Sequence, residues 1–432
     1  MKVRIVKTTD AAFTPLIKRI LARRGGRENG VEKRVTEIVA AVQKQGDRAV
    51  LRFTRLFDGV QLTSATMEVK PAEIERALTK VPGKNLATLR LAAKRIAAFH
   101  RRQLQKSWRY RDPLGMWLGQ RITPLERVGI YVPGGKASYP STVLMNSIPA
   151  KVAGVKEIVM TSPIAEDGTI ILAAAQIAGV DRVFRVGGAQ AVAALAFGTQ
   201  TIPKVDKIVG PGNIFVATAK RMVFGEVDID SIAGPSEILL LADETAEPGH
   251  VAADMLSQAE HDELAAALCV TTSAAIAIKI QKAIENQLRG TRRQAITLKS
   301  LDKYGAIIVA RSVKEMIDLA NDIAPEHIEL IVKQPRKLAG RIRNAGAMFL
   351  GPYSAPPLGD YLAGPNHVLP TGGSARFFSP LGTYDFLKRT TIIQAEKRAL
   401  RSLAPKLTEL ARLEGLDDHA RAVEARFGIS EE

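Results

Sequence analysis

The chain has 432 residues, 46% hydrophobic and 24% charged, with a single cysteine. That is enough chain for two or three domains with sizeable cores. Cys269 alone excludes a disulfide framework or a Cys-based zinc site within one chain. The net charge of +17 admits a nucleic-acid partner or an anionic ligand.

The basic residues are scattered, however, over Lys18–Arg24, Lys94–Arg111, Arg289–Arg293 and Lys388–Arg401. Aromatics make up only 5%, too few for a base-stacking platform. The charge therefore reads as a solvated basic surface, with no nucleic acid as partner. The first residues show no apolar core or cleavage pattern of a signal peptide. No apolar run approaches the ~18–20 residues of a membrane span. The expectation is a soluble protein of the reducing cytoplasm, with no membrane partner.

Along the chain, residues 10–112 carry helical spacing, as in Leu16, Ile17, Ile20, Leu21 and in Val35, Ile38, Val39, Val42. Pro71 followed by Glu73 and Glu75 marks a helix start. Helical spacing continues over Leu86–His100. From 116 to 132 the pattern is strand-like, with a turn near Thr123-Pro124. The apolar run Val143–Val152 reads as a helix that Pro149 interrupts.

Residues 156–243 alternate strand and helix, and a second alternating set runs to Leu350. Such alternation is the mark of parallel sheets with crossover helices. The predicted fold class is α/β: two incomplete Rossmann-like units with parallel sheets and crossover helices, a helical N-terminal region and a small C-terminal helical tail. The expected divisions are four. Residues 1–130 form a mostly helical region ending in a strand pair and packing with the second α/β unit. Residues 131–235 form the first α/β unit, on the cofactor side. Residues 236–383 form the second unit, with the catalytic and metal residues, and 384–432 form a tail. The loop-rich stretch 351–383 is long for a compact chain and reads as functional. The tail is too small to bury its own core, so it is expected to dock on the body or on a partner subunit.

Six histidines carry most of the candidate chemistry. In Asn321–Leu330 a helical run stops at Pro325, and Glu326 and His327 follow before a strand-like Ile-Glu-Leu-Ile. Imidazole titrates near neutrality, and an adjacent carboxylate tunes it or activates a water. On these residues alone, a helix-ending salt bridge explains the pair equally well. His261 lies three residues after Gln258 on one helix face. His367 follows Asp360 by seven residues, and His419 sits in the tail five residues after Glu414. Gln258, His261, Asp360 and His419 would give a nitrogen/oxygen set suited to a borderline cation such as zinc, though spacing alone does not decide it. His100 and His250 read as structural.

Glycine turns at Pro133-Gly134-Gly135, Gly187-Gly188-Ala189-Gln190 and Gly210-Pro211-Gly212-Asn213 can aim backbone donors at an anion. None is a full dinucleotide fingerprint, and ordinary strand-to-helix turns explain them as well. Cys269, in an apolar strand-like run, reads as a buried small hydrophobe rather than a nucleophile.

The blocks Gly129–Gly135, Gly210–Asn213, Ala233–Glu237, Leu256–His261, Ala324–His327 and Gly359–Gly373 together resemble the histidinol dehydrogenase family, in order and over essentially the whole chain. The resemblance implies zinc-dependent oxidation of L-histidinol to L-histidine through the aldehyde, with two NAD+ per turnover. It implies Glu326 and His327 as the acid/base pair and Gln258, His261, Asp360 and His419 as zinc ligands. It implies substrate contacts from Ser236, His327, His367, Glu414 and the zinc ligands, and cofactor contacts from Tyr131, Gln190 and Asn213. It also implies a homodimer whose exchanged tail brings Glu414 and His419 to the partner's site. Competing readings are a related zinc/NAD-dependent dehydrogenase acting on another alcohol, a zinc hydrolase, and a basic nucleic-acid binder.

Overall fold

The computed structural model describes residues 2–22, 30–134, 138–164, 168–232 and 234–428. Gly135 and Ala233, which end and begin two of the blocks above, lie outside them, as do Arg23 and Arg24. The strands in chain order are β1 (Arg4–Lys7), β2 (Trp108–Arg111), β3 (Trp117–Pro124), β4 (Arg127–Tyr131), β5 (Glu157–Thr161), β6 (Arg182–Phe184), β7 (Lys207–Val209), β8 (Asp228–Ile229), β9 (Glu237–Ala242), β10 (Ala266–Thr271), β11 (Gly305–Val309), β12 (His327–Ile331), β13 (Ala347–Leu350) and β14 (Leu387–Gln394).

They form a five-stranded sheet in the order β6-β5-β4-β7-β8, a six-stranded sheet in the order β1-β11-β10-β9-β12-β13, and a three-stranded sheet in the order β14-β3-β2. Both larger sheets are parallel throughout. The expected α/β class with two parallel sheets is what the chain adopts.

A parallel sheet covered by helices on both faces needs strands that are apolar on both sides. Strand β9 shows this: Ile238, Leu240 and Ala242 enter one core, and Leu239 and Leu241 enter the other. The first core also takes Met255 and Ile280, from the helices Pro248–Ala259 and Ala274–Leu288. The second takes Leu16 and Ile20, from Phe13–Ala22, and Met316 and Ile323, from Val313–Ile323.

The division of the chain differs from the one expected. The central strand of the five-stranded sheet is β4, so that unit begins near Arg127 rather than at 131. The N-terminal region does not pack as one block on the second unit. Its strand β1 and helix Phe13–Ala22 join the six-stranded sheet. Val35, Ile38, Val42 and Val50, on the helices Val31–Gln45 and Asp47–Asp58, instead share a core with Phe184, Leu195 and Ile208 of the five-stranded unit. Strands β2 and β3 pair with β14 of the tail, so residues 104–124 and 387–432 form a separate compact unit. Strand pairing across such a distance leaves no trace in local periodicity.

One buried group is unusual for a sheet centre. Glu329 on β12 is fully buried, and among the described residues no fixed donor reaches either of its carboxylate oxygens. The group it faces is the carboxyl of Asp254, on the helix Pro248–Ala259. Burial, then the neighbouring Asp254 charge, pushes the Glu329 carboxyl up to about 9 from an ordinary 4.5. Burial thus favours the protonated form of this carboxyl in the folded chain. The proton that the fold takes up stabilises it fully below pH 4.5; that contribution declines as pH rises and is gone above about 9. Glu329→Gln has no such proton to lose. Its urea midpoint relative to the parent should therefore rise steadily between pH 5 and 9, and a difference that stays flat would show that Glu329 is ionised in the fold.

Candidate active site

The helix Val313–Ile323 ends at Ala324, which takes a left-handed conformation at φ 48°, and Pro325 prevents any continuation. The chain turns over there and delivers Glu326 and His327 to the start of β12. Glu326 is held by the Glu237 backbone N–H, which donates to its Oε2 at 3.0 Å. His327 lies between two carboxylates: its Nδ1 is 3.8 Å from Glu326 Oε2 and its Nε2 is 3.7 Å from Asp360 Oδ1. Both ring nitrogens are buried, and among the described residues neither reaches hydrogen-bond distance of a partner. A buried polar atom left this way costs about 1–3 kcal/mol and calls for an explanation, such as an ordered water, an ion or a role in chemistry.

The charges are mutually tuned. Burial works against a charged His327, but the carboxylates of Glu326 and Asp360 outweigh it and raise its pKa. Burial raises the Glu326 carboxyl despite the attraction of His327. Asp360 is lowered: burial opposes its ionisation, and the His327 contact overcomes that. A carboxyl held up beside a histidine held up is an arrangement for moving protons near neutrality.

Asp360 lies in the wide helical turn Leu358–Leu362. Its carbonyl is 3.0 Å from His367 Nδ1. His261, at the solvent-facing end of the helix Pro248–Ala259, is within electrostatic reach of Asp360 and His327. Gln258, one turn back, is buried with an unpartnered Nε2. Ser236 directly precedes β9, beside β12. The residues expected from 236 to 367 are thus gathered at the N-terminal edge of β9 and β12.

Among the described residues, no three of His, Cys, Asp and Glu stand close enough together to hold a metal. The expected ligand set offers only two such residues here, His261 and Asp360, with Gln258 as a third donor. The remaining candidates, His419 and Glu414, belong to the smaller unit. There the helix Lys397–Leu413 is followed by Glu414 and the helix Asp417–Glu424 carries His419, and both residues are exposed.

The three expected cofactor residues sit at the opposite kind of edge. In the five-stranded sheet the strand order reverses between β4 and β7, the kind of switch point beside which parallel sheets bind ligands. Tyr131 ends β4, and Gly210–Asn213 follows β7. Burial pushes the Tyr131 phenol up to about 12, so it stays protonated, and its oxygen accepts from Gly188 N at 3.1 Å. Gln190 is 1% exposed, and among the described residues neither of its amide atoms has a partner. Asn213 caps the helix Ile214–Val223: its Oδ1 accepts from Phe215 N and Val216 N at 3.0 and 3.2 Å. Its two amide hydrogens are left for something else.

Gly210 has φ 115°, and a Cβ there would lie 2.1 Å from the Tyr131 carbonyl. The turn is fixed by a buried ion pair between Lys220 and Asp230. Lys220 donates to Gly210 O at 3.0 Å, and Asp230 accepts from Gly210 N at 2.8 Å. Neither residue stood out in the sequence, where a lysine in a helix reads as surface.

Cys269 lies in the middle of β10, fully buried, with its thiol pushed up to about 12 by burial. It is no nucleophile. His100 is buried with Nδ1 2.8 Å from Ile96 O.

Fold and site together define an α/β protein with a buried histidine–carboxylate cluster on one parallel sheet and a switch in strand order on the other. A model of the histidinol dehydrogenase family matches residues 21–427. A histidinol dehydrogenase from Syntrophotalea carbinolica is 56% identical over 426 residues, covering 98% of this chain and 99% of that protein. One from Aquifex aeolicus is 54% identical over 94% of this chain and 95% of its own length. The crystal structure of histidinol dehydrogenase from Elizabethkingia anophelis superposes with a TM-score of 0.92 at 34% identity, covering 99% of this chain and 98% of that one. The chain belongs to the histidinol dehydrogenase family of oxidoreductases. Among the described residues, no helix is long and apolar enough to cross a membrane.

Proposed function

We propose that this chain oxidises L-histidinol to L-histidine through L-histidinal, using zinc and two NAD+ per turnover, in the last steps of histidine biosynthesis. The observation that carries the reading is His327, buried between Glu326 and Asp360 with both nitrogens unpartnered. The donor set of two imidazoles, a carboxylate and an amide suits a borderline cation. Among the described residues, the buried Gln190 amide has no partner, which supports a polar ligand beside it.

Gln258, His261 and Asp360 would hold zinc, with His419 as the fourth ligand, and Tyr131, Gln190 and Asn213 would hold NAD+. When bound, zinc supplies a Lewis-acidic anchor for the substrate's imidazole and amine, and NAD+ accepts each hydride. His327 takes the hydroxyl proton in the first oxidation. In the second, Glu326 and His327 take a proton from the water that adds to the aldehyde carbon. The hydrate so formed has a C–H bond that can leave as hydride, giving the carboxylic acid. Cys269, buried and protonated, offers no thiolate route to the same end. Ser236 and His367 would orient the substrate beside His327.

Glu414 and His419 of the partner subunit would complete the substrate and zinc sites, in a cytoplasmic homodimer with exchanged tails. The outward-facing Leu407, Leu410 and Leu413 of the helix Lys397–Leu413 support such an association.

The test is NADH formation with L-histidinol, before and after chelation and zinc return. We expect about two NADH per histidinol, lost on chelation and restored by zinc. No NADH from histidinol but NADH from another alcohol would move the substrate to that alcohol. In Glu326→Gln, oxidation of supplied L-histidinal should slow by at least about tenfold. An unchanged aldehyde step would remove Glu326 from the water activation.

A further inference from the structure

The loop that carries Asp360 and His367 is tied to its surroundings in an unusual way. The helix Pro140–Ala153 continues through Pro149. A proline inside a helix has no N–H, so the carbonyl four residues earlier loses its donor. That carbonyl belongs to Met145, which is fully buried. It does not go unsatisfied, because Asn366 Nδ2 donates to it at 2.7 Å. Asn366 is itself 5% exposed, and its Oδ1 accepts from Val368 N at 2.9 Å. The side chain therefore spans from the proline-vacated carbonyl to the backbone just after His367.

The rest of the loop is held against the helix Gly83–His100. Arg95 donates to the carbonyls of Leu362 and Ala363. Gly364 has φ 111°, and a Cβ there would lie 2.8 Å from the Arg95 carbonyl. His367 closes the segment through its Nδ1 contact with Asp360 O.

We infer that Asn366 is a positioning residue: bonded to the carbonyl that Pro149 leaves without a helical donor, it sets where Asp360 and His367 stand relative to His327. The inference rests on the proposed roles of Asp360 and His367. It assigns Pro149 a purpose that helix propensity alone counts as a defect.

Two variants test it. Asn366→Asp keeps the acceptor for Val368 N but removes the donor and sets a carboxylate oxygen against the Met145 carbonyl. With zinc-loaded protein, kcat/KM for histidinol should fall by about a hundredfold, the scale of a misplacement near 1 Å. The Kd for NAD+, read by fluorescence, should stay within about twofold, since Tyr131, Gln190 and Asn213 lie on other elements.

Pro149→Ala returns the helical N–H, so two donors compete for the Met145 carbonyl. Its Tm should be no lower than the parent's, because a helix-interior proline is itself unfavourable, while KM for histidinol rises by about three- to tenfold. A purely structural role would move stability and activity together. If Asn366→Asp does not fold, Pro149→Ala decides. Folded variants with parental kcat/KM would overturn the inference while leaving the proposed reaction intact. A parent protein that makes no NADH from histidinol would instead overturn the reaction, and the inference with it.

Discussion

The approach of Asp360 Oδ1 to His327 Nε2, at 3.7 Å, is the contact on which the site depends. It joins a loop more than thirty residues downstream to the first residue of a central strand. Each partner alters the other: Asp360 favours the charged ring, and the ring holds Asp360 ionised in a place where burial would protonate it. Among the described residues, neither nitrogen of His327 has a hydrogen-bond partner.

The two parallel sheets contribute opposite edges. The five-stranded sheet offers the C-terminal ends of β4 and β7, where the strand order reverses and glycine-rich turns bring backbone close. The six-stranded sheet offers the N-terminal ends of β9 and β12. There the returning helix Pro248–Ala259 presents Gln258 and His261, since a helix that follows a strand runs back to the edge where the strand began. The loop after β13 spans both environments. It is bonded to Met145 in the five-stranded half and, through Thr371 Oγ1, to Gly234 at 2.6 Å, just before β9.

Much of this was legible in the chain. Strand–helix alternation gave the class of fold because both faces of each sheet must be apolar. The stop at Pro325 placed Glu326 and His327 at an element boundary, where they are found. Other features were not legible because they depend on distant pairing. Strands β2 and β3 join β14 across more than 260 residues of chain. The helices from Val31 to Asp58 pack on the five-stranded unit, not the six-stranded one. Pro149 read as an interruption, because the helix alone does not reveal that Asn366 supplies the missing donor. Lys220 and Asp230 matter only because the fold brings both to the Gly210 turn, and Glu329 is buried only because a helix from elsewhere in the chain packs Asp254 against it.

The central claim is that His327 takes the proton as hydride departs from the substrate. The most direct measurement is a single turnover of C1-deuterated L-histidinol by His327→Asn, with zinc content and NAD+ affinity determined on the same sample. The account predicts hydride transfer slowed by about 10²–10⁴, the range for a lost general base, with zinc and NAD+ bound as in the parent. Hydride transfer at the parental rate in that sample would contradict it.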